Sequence, residues 1–194
     1  MLKATIEELL NWHPCYKDDE ICVLAGGATE FTALDVLKRD DITEKDRLWV
    51  VLRPQLIDKR LLRIFACDCA WRVLPVYEAC YPGDERPRVA IETARQHVDS
   101  EETEEKQRTA YATAASAHAT AAEHAAAAAA AAYTTTYDAR ASYYAAYRAA
   151  CANYLASYRA AEDIHDADAA RAAVEREWQV AHLIEMLEGQ YAKQ

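Results

Sequence analysis

Apolar positions in residues 1–98 recur at helical spacing in several short runs, and capping or turn residues bound each run. Thr5 can cap the first run. Thr43 is followed three residues later by Asp46, a variant of the capping box, and Pro54 closes the apolar run that comes next. Besides a helix between Thr43 and Pro54, the pattern predicts helices over residues 5–12, 19–25 and 29–38.

The strongest apolar stripe follows Asp58, and its steps of three and four residues are typical of one buried helix face. Its members are Leu62, Phe65, Cys69, Val73, Val76 and Cys80. Pro75 lies inside the stripe, so we expect the helix to kink or split there. After a turn at residues 81–84, Pro87 in a first helical turn predicts another helix over residues 88–98.

The pattern changes at about residue 99, where alanine, the best helix former, becomes dominant and proline no longer occurs. We therefore predict an all-α protein in three parts. Residues 1–98 form a compact bundle of short helices. Residues 99–166 form a long alanine-rich helical hairpin or coiled coil. Residues 167–194 hold a C-terminal helix that packs back, and Gly189 is expected to follow its end.

A stripe of tyrosines runs through the alanine-rich part with alternating steps of four and three residues. It consists of Tyr133, Tyr137, Arg140, Tyr144, Tyr147, Cys151, Tyr154 and Tyr158. Such a heptad keeps its members on one face of a supercoiling helix. Two interpretations stay open: a packing face within a helix pair or homodimer, and a docking face for another protein, since tyrosine and arginine are frequent at interface hot spots.

Composition and charge exclude several classes of protein. Four glycines and five prolines are too few for the turns of a sandwich or barrel. Thirty-two acidic against 22 basic side chains give a net charge of −10, which argues against direct nucleic-acid binding. The N-terminal residues lack the apolar run of a signal peptide, and no 18-residue stretch is apolar enough for a bilayer. We expect a cytoplasmic protein that does not bind membranes.

The candidate chemical sites are weak. Cys67 and Cys69 are two residues apart on a predicted helix and point in different directions, so we interpret them as buried thiols. His13, Cys15 and Cys22 could supply three zinc ligands, but a fourth ligand and the usual spacing are missing. We therefore expect no metal, no cofactor and no catalytic site, and hence a protein that is not an enzyme.

Asp68 is an acidic residue between apolar neighbours and therefore requires a partner. Arg72 lies four residues later on the same predicted helix face, while Arg63 and Arg95 are alternative partners. We predict a structural ion pair between Asp68 and Arg72 that holds the core helix against its neighbour.

Four segments carry a resemblance to known proteins: residues 47–58 (RLWVVLRPQLID), 61–72 (LLRIFACDCAWR), 81–95 (YPGDERPRVAIETAR) and 177–187 (EWQVAHLIEML). They resemble a family of immunity proteins found beside bacterial polymorphic toxins and in phage and prophage genomes. The resemblance is good over about residues 30–98 and looser elsewhere. Family members often continue into an alanine-rich helical tail, and the family has no catalytic motif to carry over.

The resemblance and the composition together favour a protein that acts through its surfaces. The leading hypothesis is a non-enzymatic inhibitor or immunity-type protein, encoded by a phage or prophage. Its partner would be another protein, either a toxin or a nucleic-acid-handling defence complex such as a CRISPR effector. The alternative is a structural protein that self-assembles through the tyrosine stripe and has no inhibitory target.

Overall fold

The computed structural model describes residues 1–80, 82–96 and 165–191. Helices form most of this part of the chain, so the prediction of a mainly helical protein is confirmed. The elements are β1 (Lys3–Thr5), α1 (Ile6–Asn11), α2 (Asp18–Ala25), β2 (Glu30–Thr32), α3 (Ala33–Leu37), α4 (Glu44–Val51), α5 (Lys59–Cys80), α6 (Arg86–Gln96) and α7 (His165–Tyr191). The predicted hairpin or coiled coil falls almost entirely on residues 97–164, outside the described residues.

A two-stranded antiparallel sheet is the feature that the all-α prediction missed. Strand β1 pairs with β2 so that Ala4 lies opposite Phe31, and both side chains are buried. The helix predicted over residues 29–38 is wrong at its start, because residues 30–32 form β2 and the helix begins only at Ala33. Thr32 is both the last residue of β2, with extended backbone angles, and the N-cap of α3. The strand therefore passes directly into the helix.

Side-chain caps fix the starts of the short helices. Thr5 and Glu8 form a full capping box at α1, with the Glu8 amide donating to Thr5 Oγ1 at 3.1 Å and the Thr5 amide donating to Glu8 Oε2 at 2.8 Å. Thr43 caps α4 by accepting from the Asp46 amide at 3.2 Å. Both helix starts were predicted correctly, because the signal lies within four consecutive residues.

The main core lies where α7 packs against α3, α4 and α5. All four helices contribute buried side chains to it: Leu37, Leu48, Val51, Leu62, Phe65, Leu183 and Leu187. A second, smaller cluster between α5 and α6 contains Cys67, Ala70, Leu74 and Ile91. Helix α5 therefore has apolar contacts on two sides, which suits its position at the centre of the described residues.

The structure also corrects expectations at a proline and a glycine. Of the kink or split expected at Pro75, the split is wrong, because α5 continues to Cys80. Leu74, immediately before Pro75, is 2% exposed in the smaller cluster, so packing offsets the hydrogen bond that proline removes. Gly189 does not follow the end of the last helix but lies inside α7, which extends to Tyr191. A single exposed glycine weakens a helix without ending it.

Candidate functional site

Asp68 lies where α5, α6 and α7 meet. Its Oδ1 accepts a hydrogen bond from Arg95 Nη2 on α6. Its Oδ2 lies 2.8 Å from His182 Nε2 on α7. The carboxylate is 22% exposed, so both contacts form partly away from water, where charged hydrogen bonds are stronger than on an open surface. One side chain of α5 thus connects the two helices that flank residues 97–164.

A second ion pair joins α5 to α7 one helical turn further along α5. Arg72 Nε donates to Glu175 Oε2 at 2.8 Å. The Glu175 side chain is 1% exposed, whereas that of Arg72 is 39% exposed. Gln179 Nε2 lies 3.4 Å from the other oxygen of Glu175. The guanidinium therefore brings a positive charge to a buried carboxylate that needs one.

The predicted Asp68–Arg72 ion pair is replaced by these two pairs between helices. Both residues carry ion pairs, and Arg95, one of the alternatives left open by the sequence, is the arginine bound to Asp68. The reason is burial: Glu175 loses nearly all contact with water in α7, so it gains more from Arg72 than the partly exposed Asp68 would. Both pairs join α5 to other helices, Asp68 to α6 and Arg72 to α7.

Aromatic rings stack against the same charged groups. The Arg72 guanidinium carbon lies 4.3 Å from the centroid of the Trp178 ring. The His182 ring stacks on Trp178 at 4.8 Å with an angle of 12° between the planes, and on the buried Phe65 at 6.3 Å. These contacts restrict the side chains that the ion pairs already orient.

Trp71 repeats this arrangement on the α6 side. Arg88 and Arg95 lie seven residues apart, or about two helical turns, and so project from the same face of α6. Their guanidinium carbons lie 5.1 and 5.2 Å from the centroid of the Trp71 ring. Arg88 also binds Glu78 through two hydrogen bonds of 2.8 Å. Ile91, between the two arginines in sequence, is buried and fixes which side of α6 faces α5.

We call these residues of α5, α6 and α7 together the arginine–tryptophan surface: Trp71, Arg72, Arg88, Arg95 and Trp178. The three arginine side chains are 38–41% exposed, although each binds a carboxylate and stacks on an indole ring. A guanidinium has five N–H donors, so one ion pair leaves donors for another molecule. Tryptophan and arginine are also the residues most enriched at interface hot spots. The arrangement suits binding of a protein partner.

Sequence reasoning did not identify this surface, although two signals were present. Arg88, Ile91 and Arg95 have the spacing of one helix face, and three of the four tryptophans, Trp71 and Trp178 among them, lie within the segments that carry the family resemblance. The sequence instead indicated an interface on the tyrosine stripe. Its members Tyr133, Tyr137, Arg140, Tyr144, Tyr147, Tyr154 and Tyr158 lie outside the described residues.

The thiols of Cys67 and Cys69 are buried, as predicted. Cys67 and Cys69 are both 0% exposed. Burial raises the pKa of the Cys67 thiol to about 12 and that of Cys69 well above its ordinary value. Both therefore stay protonated at neutral pH, and a protonated thiol is neither a good nucleophile nor a metal ligand. Cys15 and Cys22 are exposed.

Within the described residues, no group of three or more His, Cys, Asp or Glu side chains is arranged to hold a metal ion. No helix in residues 1–80, 82–96 or 165–191 has both the length and the apolar character needed to cross a membrane.

Comparison with known proteins gives one result. A family model described as Imm-5 like putative immunity protein matches residues 54–186. No curated protein and no solved structure matches the chain. The matched range covers more than half of the chain and contains every residue of the arginine–tryptophan surface. The chain therefore belongs to the Imm-5 like putative immunity protein family.

Proposed function

We propose that this protein is a non-enzymatic immunity protein that neutralises a toxin by binding it directly. Membership of the family suggests an immunity-type function and a non-enzymatic role, and it implies that the partner is another protein, such as a toxin. The observation that carries the proposal is the arginine–tryptophan surface. It is a half-exposed set of interface-type side chains within the range that the family model matches.

The geometry favours binding because the surface is ordered before a partner arrives. Arg88 is held at two points, by the Glu78 carboxylate and by the Trp71 ring, and Arg72 is held by Glu175 and Trp178. Ordering a free arginine at an interface costs about 0.5–1.5 kcal/mol. Side chains that are already fixed avoid most of this cost, so their remaining N–H donors bind a partner more strongly.

The test is co-expression in a bacterium with the toxin encoded beside the gene of this protein. We expect growth to be rescued and a stable complex to form with the purified proteins. Arg88→Ala and Arg95→Ala should each weaken the complex by about 30-fold, as hot-spot truncations of about 2 kcal/mol do. Val89→Ala is the matched control, since Val89 lies beside Arg88 on α6, is exposed and is not part of the surface.

Two results would overturn the proposal. One is toxin activity that persists with no complex formed. The other is rescue that continues when toxin and this protein are shown not to bind, which would indicate an enzymatic or indirect mode. Thermal melting of each variant separates a lost contact from a lost fold.

The net charge of −10 favours a more specific version of the target. Toxins and defence complexes that handle nucleic acid carry basic surfaces, and an acidic protein is steered toward them. In this version the protein is encoded by a phage or prophage and acts in counter-defence, for example by inhibiting a CRISPR effector. Competition between this protein and DNA for a purified effector tests it, and an effector that still binds DNA at a large excess of this protein excludes it.

A further inference from the structure

An open cavity of about 580 Å³ lies between α1, α2, β2, α3 and α4, in residues 6–50. Most of its wall is apolar, with Ile21, Leu24, Phe31, Val36, Trp49 and Val50 among the lining residues. The family model begins at residue 54, so the whole cavity lies in the part of the chain that the model does not match. It is also separate from the arginine–tryptophan surface, which α5, α6 and α7 provide.

The polar groups of the wall already serve the fold. Tyr16 donates its hydroxyl proton to Asp46 Oδ2 at 2.9 Å, and this bond raises the pKa of Tyr16, which keeps the hydroxyl protonated. Asp35 accepts from the hydroxyl and the amide of Thr32. Arg39 donates to the Leu24 carbonyl and to Asp41. A pocket for a small polar ligand needs polar groups that converge on the ligand, whereas these groups already bond to other groups of the protein.

The charge around the opening is negative. Glu30, Asp35 and Asp46 line the cavity, against Arg39 and Lys45, and Lys3 pairs with Glu30 at 3.0 Å. The first turn of α2 adds three exposed carboxylates, Asp18, Asp19 and Glu20. Asp18 lies one turn before the wall residue Ile21 and therefore on the same side of α2. An occupant that matches this site has apolar side chains for the wall and positive charges for the rim.

We propose that this cavity is a docking site for a basic amphipathic segment of a partner protein. Leucine or aromatic side chains of the segment fill the cavity, and its lysines or arginines face the carboxylates of the rim. An amphipathic helix in an apolar groove is a recurring mode of recognition in which a few spaced side chains supply the anchors. The inference rests on the proposed function in one respect, which is that the segment belongs to the toxin.

The probe is a 14-residue peptide of leucine and lysine with helical amphipathic spacing, and a matched peptide carries glutamate in place of lysine. Calorimetry measures the affinity, and substitutions in the cavity wall identify the place of binding. At low salt we expect the lysine peptide to bind about tenfold more tightly than the glutamate peptide, and this advantage should shrink as salt rises.

Two variants on α2 form a matched pair. Ala25→Trp fills the cavity, because Ala25 lines it, and should weaken the lysine peptide at least about tenfold. Val23→Trp adds the same ring two residues away, where Val23 is 79% exposed and outside the cavity, and should leave the affinity within about twofold. If Ala25→Trp does not fold, Ala28→Trp fills the cavity from an exposed position. Lys45→Glu should tighten binding by about threefold, since it adds a negative charge at the rim.

The results separate this inference from the proposed function. Equal affinity for both peptides, or equal affinity of Ala25→Trp and Val23→Trp for the lysine peptide, overturns the docking site. Absence of peptide binding while toxin rescue is intact also overturns the docking site alone. Peptide binding that depends on the cavity, with no toxin rescue, supports the docking site and overturns the proposed function alone.

Discussion

Arg72 binds the carboxylate of Glu175 across 103 residues of sequence, with 2.8 Å between Nε and Oε2. The glutamate is 1% exposed, and the guanidinium reaches it from a position that is 39% exposed. A half-exposed cation thus stabilises a buried anion on another helix. The pair fixes the register of α7 against α5, because moving either helix by one residue would separate the two groups.

Removing the arginine should be costly. Arg72→Ala leaves Glu175 with less compensation for its burial, and we expect the free energy of unfolding to fall by about 3 kcal/mol. Chemical denaturation measures this loss, and Lys59→Ala on the exposed first turn of α5 should change stability by less than about 0.5 kcal/mol. The double variant with Glu175→Gln should lose less than the sum of the two single variants. Additive losses would contradict a direct interaction.

The cysteines should differ sharply in reactivity. Cys15 and Cys22 are exposed, while burial raises the pKa of Cys67 to about 12. Since the thiolate is the reactive form, iodoacetamide at pH 8 should modify Cys15 and Cys22 in the native protein. Cys67 and Cys69 should react only after unfolding in guanidinium. Peptide mapping by mass spectrometry identifies the modified sites, and native labelling of Cys67 at the rate of Cys15 would contradict the prediction.

Asp35 should make the stability depend on pH in the acidic range. The Thr32 hydroxyl and then the Thr32 amide bond to Asp35 and lower its pKa below the ordinary value. The ionised carboxylate therefore stabilises the folded state above its unfolded-state pKa, and this stabilisation is lost as the pH falls through the lower folded-state pKa.

The difference in denaturation midpoint between the natural protein and Asp35→Asn should thus be present at pH 7 and shrink as the pH falls through the lowered pKa of Asp35. Glu185→Gln is the control, since Glu185 is an exposed carboxylate on α7. A difference that stays constant with pH would show that Asp35 does not act through its charge.

The tyrosine stripe stays a prediction, and one double variant distinguishes its two interpretations. If the stripe packs against another helix, Tyr144→Ala combined with Tyr147→Ala should lower the melting temperature or change the oligomeric mass measured by light scattering. Tyr143→Ala is the matched control, because Tyr143 is adjacent in sequence but outside the heptad. Unchanged mass and melting would exclude packing and leave a docking face or no role.

Features that depend on residues close in sequence could be predicted, whereas those that depend on residues far apart in sequence could not. The helix starts at Thr5 and Thr43 were predictable because each cap lies within four residues of its partner. The buried face containing Phe65 and Cys69 followed from its spacing. The pairing of β1 with β2 could not be predicted in this way, since only the meeting of Ala4 and Phe31 across the intervening helices makes those short segments strands.

The candidate surface was less predictable for the same reason. Arg72 had a partner within one turn at Asp68, so a local rule favoured that pair. The competing carboxylate of Glu175 becomes the stronger partner only when α7 covers it. Long-range burial decides between two chemically equivalent carboxylates, and a sequence pattern contains no information about it.

The contribution of α7 to the core also determines when this protein can fold during synthesis. At about 10 residues per second, roughly ten seconds pass between the synthesis of Arg72 and that of Glu175. During that interval the apolar faces of α3, α4 and α5 that later contact Leu183 and Leu187 have no covering helix. A chain that ends before α7 lacks these contacts altogether, so premature termination should yield material for proteases rather than a partly active inhibitor.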